Sequence, residues 1–180
     1  MPLGGRRRIA AAFAPWTRAV QRFDHRRLMA ALPLLPVMLG LALVAGAAAP
    51  PEPVAAVRVD LSEQQLTAFD GAGRMLYRAL VSTGRPATPT PVGHFTVGTK
   101  YEETTMTGTD YVVPSVRHVM CLLGDGLRPD AVCIHPAPWQ ESAGERFGVP
   151  RSHGCVRTSS ATARWLFLRT AVGTPVLVEP

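Results

Sequence analysis

Outside its first 27 residues the chain has no surplus of charge. Seven of the 19 lysines and arginines, and one of the 13 aspartates and glutamates, fall within residues 1–27, which leaves 12 of each sign for the rest. A balanced remainder offers no basic patch for a phosphate backbone, so no nucleic-acid partner is expected. No stretch from 54 to 157 sustains the 3.6-residue spacing of apolar side chains, which argues against a helical domain there. Paired CxxC and HExxH spacings are missing; one cysteine and two histidines (His135, His153, Cys155) would suit zinc chemically, but zinc would quench a thiol nucleophile, and no metal or other cofactor is expected. No histidine follows Cys155, which excludes the papain-like order, in which the cysteine precedes its base by many tens of residues.

The charge surplus has a clear place. It lies just before Leu28 to Ala49, 22 residues without a charge, long enough to cross a bilayer of about 30 Å at about 1.5 Å per residue. Arginines on the N-terminal side predict that this end stays in the cytoplasm and that the C-terminal part of the chain is exported, to the periplasm or the extracytoplasmic face of the membrane. Residues 28–49 are either the core of a signal peptide, with Ala45-Gly46-Ala47 as an A-x-A-like cleavage site, or a retained anchor interrupted by Pro33 and Pro36. Arg26-Arg27-Leu28-Met29 faintly resembles a twin-arginine signal, and a start at Met29 would remove the whole basic segment. The expected layout is a basic cytoplasmic region at 1–27, the apolar segment at 28–49, a stiff Pro-rich linker at 50–56 and a catalytic domain at 57–180.

From Val57 the pattern is that of strands. Val57-Arg58-Val59-Asp60-Leu61 alternates apolar and polar, and Gln65–Phe69 and Met75–Val81 flank a hairpin turn at Asp70-Gly71-Ala72-Gly73. Gly84–Pro91 is a loop, Gly93–Val97 a strand, and polar Thr99–Val116 a long loop. Arg117–Leu123 and Ala131–His135 read as two strands carrying Cys121 and Cys133. Those two cysteines either pair in an oxidising compartment or stay reduced in the core, and Cα separation and Cβ direction decide which. Pro136–Arg151 is an irregular loop. Thr158-Ser159-Ser160 caps a helix over Ala161–Ala171 whose buried face would carry Ala161, Trp165, Leu168 and Val172. Val176–Val178 is a last strand.

The chemistry concentrates in Ser152-His153-Gly154-Cys155-Val156-Arg157. A thiol attacks as the thiolate, and at a pKa near 8.5 only roughly 3% of it is thiolate at pH 7, so a base is needed. In an extended segment residues i and i+2 share a face, which lets the His153 imidazole approach the Cys155 thiol as that base. The Gly154 and Cys155 N–H groups are candidate oxyanion donors, with the missing Cβ of Gly154 allowing close approach. Ser152 would orient or polarise the pair through its hydroxyl or carbonyl. Arg157 would pair with a substrate carboxylate or lower the thiol pKa.

His135, sixteen further residues and then Ser-His-Gly-Cys resembles the signature of the YkuD-type L,D-transpeptidases. Ser82-Thr83-Gly84 and Thr90-Pro91-Val92-Gly93-His94-Phe95 resemble that family's upstream motifs, and the similarity covers roughly Val54 to Glu179. Two positions depart from the pattern: Arg157 stands where Asn is commonest, and Pro136 follows His135 where a small residue is more usual. The resemblance implies a Cys155 nucleophile acting on peptidoglycan stem peptides, with His135 facing the substrate at the mouth of a groove. It also implies a flap over that groove formed by Thr99–Val116, with Met106 and Tyr111 contacting a stem. The expected fold is mainly β: a β-sandwich-like catalytic domain with one α-helix in the C-terminal region, acting as a monomer. A carboxypeptidase on the same substrate and a non-catalytic wall-binding module are the competing readings.

Overall fold

The computed structural model describes residues 51–108 and 110–180. The basic segment, the apolar run at 28–49 and Met29 lie outside the described residues. Among those described, no helix is long and apolar enough to cross a membrane.

Strand β1 (Ala56–Asp60) buries Val57 and Val59 in strict alternation. A tight connection closed by Asp60, whose Oδ1 accepts from Ser62 Oγ and Glu63 N at 2.8 Å each, leads into antiparallel β2 (Gln65–Phe69). The expected turn at Asp70 joins β2 to β3 (Met75–Leu80), and the Asp70 carboxylate shapes it by accepting from the N–H groups of Ala72 and Arg74. Packing begins three residues before the expected domain boundary: Val54 is buried and its N–H donates to Arg169 O.

The long polar stretch is not a loop. Strand β4 (Gly93–Thr107) and strand β5 (Val112–Leu123) form one antiparallel hairpin, paired from Thr96↔Leu123 out to Thr107↔Val112. Its outer half carries threonines and acids because little covers it there, so the apolar alternation that identifies a strand from sequence is missing. Next come β6 (Cys133–Pro136), antiparallel to β5, and β7 (Val156–Thr158), parallel to β6. A parallel pair needs a crossover. Residues 137–155 supply it and contain the five-residue helix α1 (Pro138–Ser142), where the sequence suggests only irregular chain. A proline at the helix start suits its fixed φ and missing donor, and one turn is too short to show periodicity. Helix α2 (Ser160–Arg169) leads to β8 (Pro175–Glu179), which inserts between β1 and β4.

The strands are hydrogen-bonded in one continuous order, β3-β2-β1-β8-β4-β5-β6-β7, and residues from both ends of that order share the main core. The length of β4 explains this: residues 93–96 pair with β8 and residues 96–107 with β5, so β4 belongs to both ladders. The architecture is mainly β with two helices.

Helix α2 begins as expected, with Ser159 as N-cap accepting from Thr162 N through its hydroxyl. Its buried face is different. Ala163, Leu166 and Phe167 are buried, whereas Leu168 and Val172 are 56% and 61% exposed. Both faces of this helix are apolar enough to serve, and contact with β5 and β6 selects the one bearing Leu166 and Phe167.

Candidate active site

Along β5, β6 and β7 successive residues point to opposite faces. Met120, Leu122, Ile134 and Val156 enter the main core under α2. Val119, Cys121, Cys133 and Cys155 gather in a second cluster on the other face. The β6–β7 register sets His135 opposite Arg157, so Cys133 and His135 on one strand and Cys155 and Arg157 on the next share that second face.

The turn carrying the thiol is held from several sides. Ser152 is buried, and its hydroxyl donates to Cys155 O at 2.5 Å and accepts from Gly154 N at 3.0 Å. Ser152 therefore folds the turn and makes no hydrogen bond to an imidazole. Gly154 adopts φ +122°, a conformation that L side chains rarely adopt, while a Cβ there would meet nothing closer than 3.9 Å. Glycine is thus required by backbone geometry rather than by crowding. Its N–H is already engaged by Ser152, which removes it as an oxyanion donor and leaves that of Cys155, which finds no acceptor among the described residues.

The upstream motifs grip this turn. Ser82 and Arg157 exchange two backbone hydrogen bonds at 2.9 Å, and Thr83 O accepts from the N–H of both Arg151 and Ser152. Thr90 Oγ1 accepts from Gly84 N and donates to Gly154 O, each at 2.8 Å. A Cβ on Gly84 would lie 2.2 Å from Thr88 O, so this glycine is required by close approach. Two buried amides complete the support. Gln64 bonds Thr83 through both its oxygen (2.9 Å) and nitrogen (2.6 Å), and Gln140 Nε2 donates to Ser82 Oγ at 3.0 Å. Neither glutamine is singled out by the sequence, because each sits in what reads as connecting chain.

Cys155 is 8% exposed and unpaired. Its Sγ accepts from Cys133 N at 3.3 Å. Burial pushes the thiol above its ordinary value, and the Cys133 N–H and the Arg157 charge oppose that rise. Cys133 is joined to Cys121 by a disulfide across a directly paired position of β5 and β6.

The two histidines differ. His135 is fully buried, and its Nδ1 lies 2.7 Å from Pro136 O. A carbonyl only accepts, so Nδ1 carries the proton and Nε2 keeps its lone pair. Burial lowers the ring pKa to about 4, so the ring is neutral at pH 7. His153 has no such orienting partner among the described residues: neither ring nitrogen makes a hydrogen bond to them, to the thiol or otherwise, and Asp110 Oδ2 lies 3.6 Å from Nε2.

The β4–β5 hairpin tip comes down on this face. The Tyr111 ring sits 5.2 Å from that of His153, and burial raises the Tyr111 pKa. Met106 and Tyr111 line two cavities that meet at Cys155. One is about 650 Å³, bordered also by Arg85, Tyr101, Arg128 and Asp130. The other is about 170 Å³, bordered by Val113, His135, Trp139 and Arg157. Seven of the eight residues singled out from the sequence line the smaller cavity, and the eighth, Gly154, sits in the turn between His153 and Cys155. Among the described residues, no group of three His, Cys, Asp or Glu side chains could hold a metal ion.

A buried thiol beside an oriented neutral imidazole, open to two cavities, can carry out acyl transfer. The family model described as the YkuD L,D-transpeptidase catalytic domain matches residues 55–178. The chain is 33% identical over 108 residues to the probable L,D-transpeptidase 3 of Mycobacterium tuberculosis, covering 54% of this chain and 37% of that protein. It thus spans less than half the length of the curated relatives it matches. A crystal structure of a cysteine-to-serine mutant of the Enterococcus faecium L,D-transpeptidase matches with TM-score 0.59 at 30% identity, covering 71% of this chain and 50% of that one. L,D-transpeptidase 3 from Mycobacterium tuberculosis in complex with a faropenem-derived adduct matches with TM-score 0.59 at 26% identity, covering 71% and 61%.

Proposed function

The chain belongs to the L,D-transpeptidase catalytic domain family, and on that premise we propose that it is an exported cysteine transpeptidase acting on peptidoglycan stem tetrapeptides. The observation that carries the mechanism is strand β6 itself. It presents the Cys133 N–H to the Cys155 sulfur and, two residues on, holds His135 through Nδ1 against the Pro136 carbonyl.

On this reading the base is His135 rather than His153, and the fixed His135 ring supports that choice. A general base needs a free lone pair and a fixed ring, and of the two site histidines only His135 has a hydrogen-bonded orienting partner among the described residues. Burial favours the uncharged form of both thiol and imidazole, and in the proposed mechanism proton transfer accompanies attack. Cys155 Sγ bonds to the carbonyl carbon of the L,D peptide bond as its proton passes to His135 Nε2. The developing oxyanion is met by the Cys155 N–H. Collapse breaks the C–N bond, His135 returns the proton to the leaving amine, and a thioester remains. A side-chain amine of a second stem then attacks the thioester, loses its proton to His135 and regenerates the thiol. With water as acceptor the same site is a carboxypeptidase. His153 and Tyr111 then serve to hold the hairpin tip over the substrate.

Export is supported by the arginine-rich and apolar N-terminal sequence and by the Cys121–Cys133 disulfide, a bond favoured in oxidising compartments. Intact-mass spectrometry tests the reading. A carbapenem adduct, then loss of the terminal D-residue from a disaccharide-tetrapeptide, are expected in the native chain and absent in Cys155→Ala. Cross-linked dimer as product identifies the transpeptidase, and free tripeptide the carboxypeptidase. A folded protein giving neither adduct nor turnover leaves the non-catalytic wall-binding module as the better reading.

A further inference from the structure

The chain has three cysteines, and the sheet sets all of them in one row. Cys121 on β5 and Cys133 on β6 are directly paired positions, joined by the disulfide. The parallel register Ile134↔Val156 sets the residues just before them, Cys133 and Cys155, side by side. The Cys133 N–H donates to the Cys155 sulfur at 3.3 Å. All three cysteines are buried, share the second cluster and border the cavity of about 650 Å³. Cys155 is the free thiol of the three. Acyl transfer uses that thiol and makes no use of the disulfide beside it.

A thiolate that reaches a disulfide sulfur exchanges with it, and access decides which sulfur is attacked. Neighbouring strands lie about 4.8 Å apart, within the Cα separations of about 4.4–6.8 Å that a disulfide spans. Cys133 is therefore within bridging reach of Cys155. Cys121 lies two strands away, roughly 9.6 Å, which is more than the about 7 Å that a bridge tolerates without backbone movement. The strand order β5-β6-β7 also sets the direction. Cys155 approaches Cys133 from one side, and Cys121 departs on the other. The shared cavity gives the sulfurs room to turn without opening the packed core. Burial keeps dissolved thiols away from the disulfide, while the sheet holds the internal thiol beside it.

We propose that Cys133 is a second covalent partner for the Cys155 sulfur, and that the site interconverts between an active form carrying Cys121–Cys133 and an inactive form carrying Cys133–Cys155. In the exchange Cys155 gives up its proton and its sulfur bonds to Cys133 Sγ. The bond from Cys133 Sγ to Cys121 Sγ breaks, and Cys121 takes the electron pair and a proton. One thiol and one disulfide stand on each side, so no oxidant or reductant is consumed. The inactive form shelters the nucleophile from irreversible oxidation. A donor that acylates Cys155 draws the equilibrium back by mass action. The loss of acyl transfer in that form rests on the reading above; the exchange itself does not.

The test maps the sulfurs. The purified full chain is held overnight at pH 8.5, then alkylated with N-ethylmaleimide in acidic denaturant, where too little thiolate remains for exchange. Peptide mapping is expected to find alkylated Cys121 and a Cys133–Cys155 linkage in about a tenth or more of the molecules, which allows the original pairing an advantage of up to about tenfold. Alkylation of Cys155 alone in more than about nine molecules in ten overturns the inference, and so does a Cys121–Cys155 linkage. Two variants read the geometry directly. Cys121→Ser treated with oxidised glutathione is expected to lose both remaining thiols to a Cys133–Cys155 bond and to lose carbapenem acylation, with dithiothreitol restoring both. Cys133→Ser under the same treatment is expected to carry glutathione on its cysteines and no internal bond. Glutathione retained on a folded Cys121→Ser variant, with no internal bond, overturns the inference. If either variant fails to fold, the native mapping decides alone. A native protein that exchanges its disulfide yet takes no carbapenem overturns the acyl-transfer reading and leaves the exchange standing.

Discussion

Strands β5, β6 and β7 are buried on both faces, and the two faces use burial differently. Under α2, Met120, Ile134, Val156 and Leu166 are each 0% exposed and carry no polar side-chain atom. On the opposite face the same strands bury Cys133, Cys155 and His135 to 2%, 8% and 3% exposure. There the low-dielectric surroundings hold a thiol and an imidazole uncharged. Removal from water is a source of stability on one side, at about 25 cal/mol per Å² of apolar surface, and a control on protonation on the other. Alternation along a strand keeps the two uses apart, so chemistry changes on one face need not disturb packing on the other.

The sharpest challenge to that separation is to exchange the histidines. His135→Gln is expected to lower the acylation rate by about 10²- to 10⁴-fold, the usual contribution of a general base, with little change in melting temperature. His153→Gln is expected to lower it by less than about tenfold. The reverse ranking would return the base to His153. On the core face, Leu166→Ala is expected to cost about 2–5 kcal/mol in denaturant unfolding. Its acylation rate per folded molecule should stay within about twofold, and a larger loss would show that the faces are coupled.

A third comparison concerns protonation alone. Burial raises the Cys155 pKa, so alkylation by iodoacetamide should climb with pH through and above the ordinary thiol value of about 8.5, about tenfold per unit below it. A rate plateau near pH 6 would reveal a preformed thiolate–imidazolium pair. The smallest effect is expected away from both faces. Ser159→Ala removes the cap of α2 and should cost about 1 kcal/mol without altering turnover.

Where the chain alternates and turns sharply, sequence and structure agree. Strands β1 to β3, the Asp70 turn and the Ser159 cap each depend on a few neighbouring residues. The candidate nucleophile is legible for the same reason, since Ser152 to Arg157 is one contiguous motif. Properties created by distant chain are not. The proposed choice of His135 as base rests on burial of its ring, which fixes Nδ1 against the Pro136 carbonyl and which no spacing encodes. Gln64 and Gln140 acquire their importance only when Ser82 and Thr83 arrive beside them. The outer half of β4 and β5 shows no clear apolar alternation because most of its side chains are exposed and only Tyr101, Met106, Val113 and Val116 pack there, against the small second cluster. The buried face of α2 differs from the one its spacing suggests because the helix has two apolar sides, and only the sheet decides between them.

The crossover between β6 and β7 bears on how such a site can change over evolutionary time. His135 and Cys155 are placed by the parallel register Ile134↔Val156, His135↔Arg157, not by the number of residues between them. The part of the crossover from Glu141 to Arg146 is exposed, and a Cβ on Gly144 would meet nothing within 4 Å. Doubling the length of a flexible loop costs only about 0.6 kcal/mol. Insertions there can therefore accumulate, acquire new binding surface and leave the reacting atoms where they are. The sixteen residues between His135 and Ser152 are a span the sheet makes permissible, and a lineage is free to lengthen it.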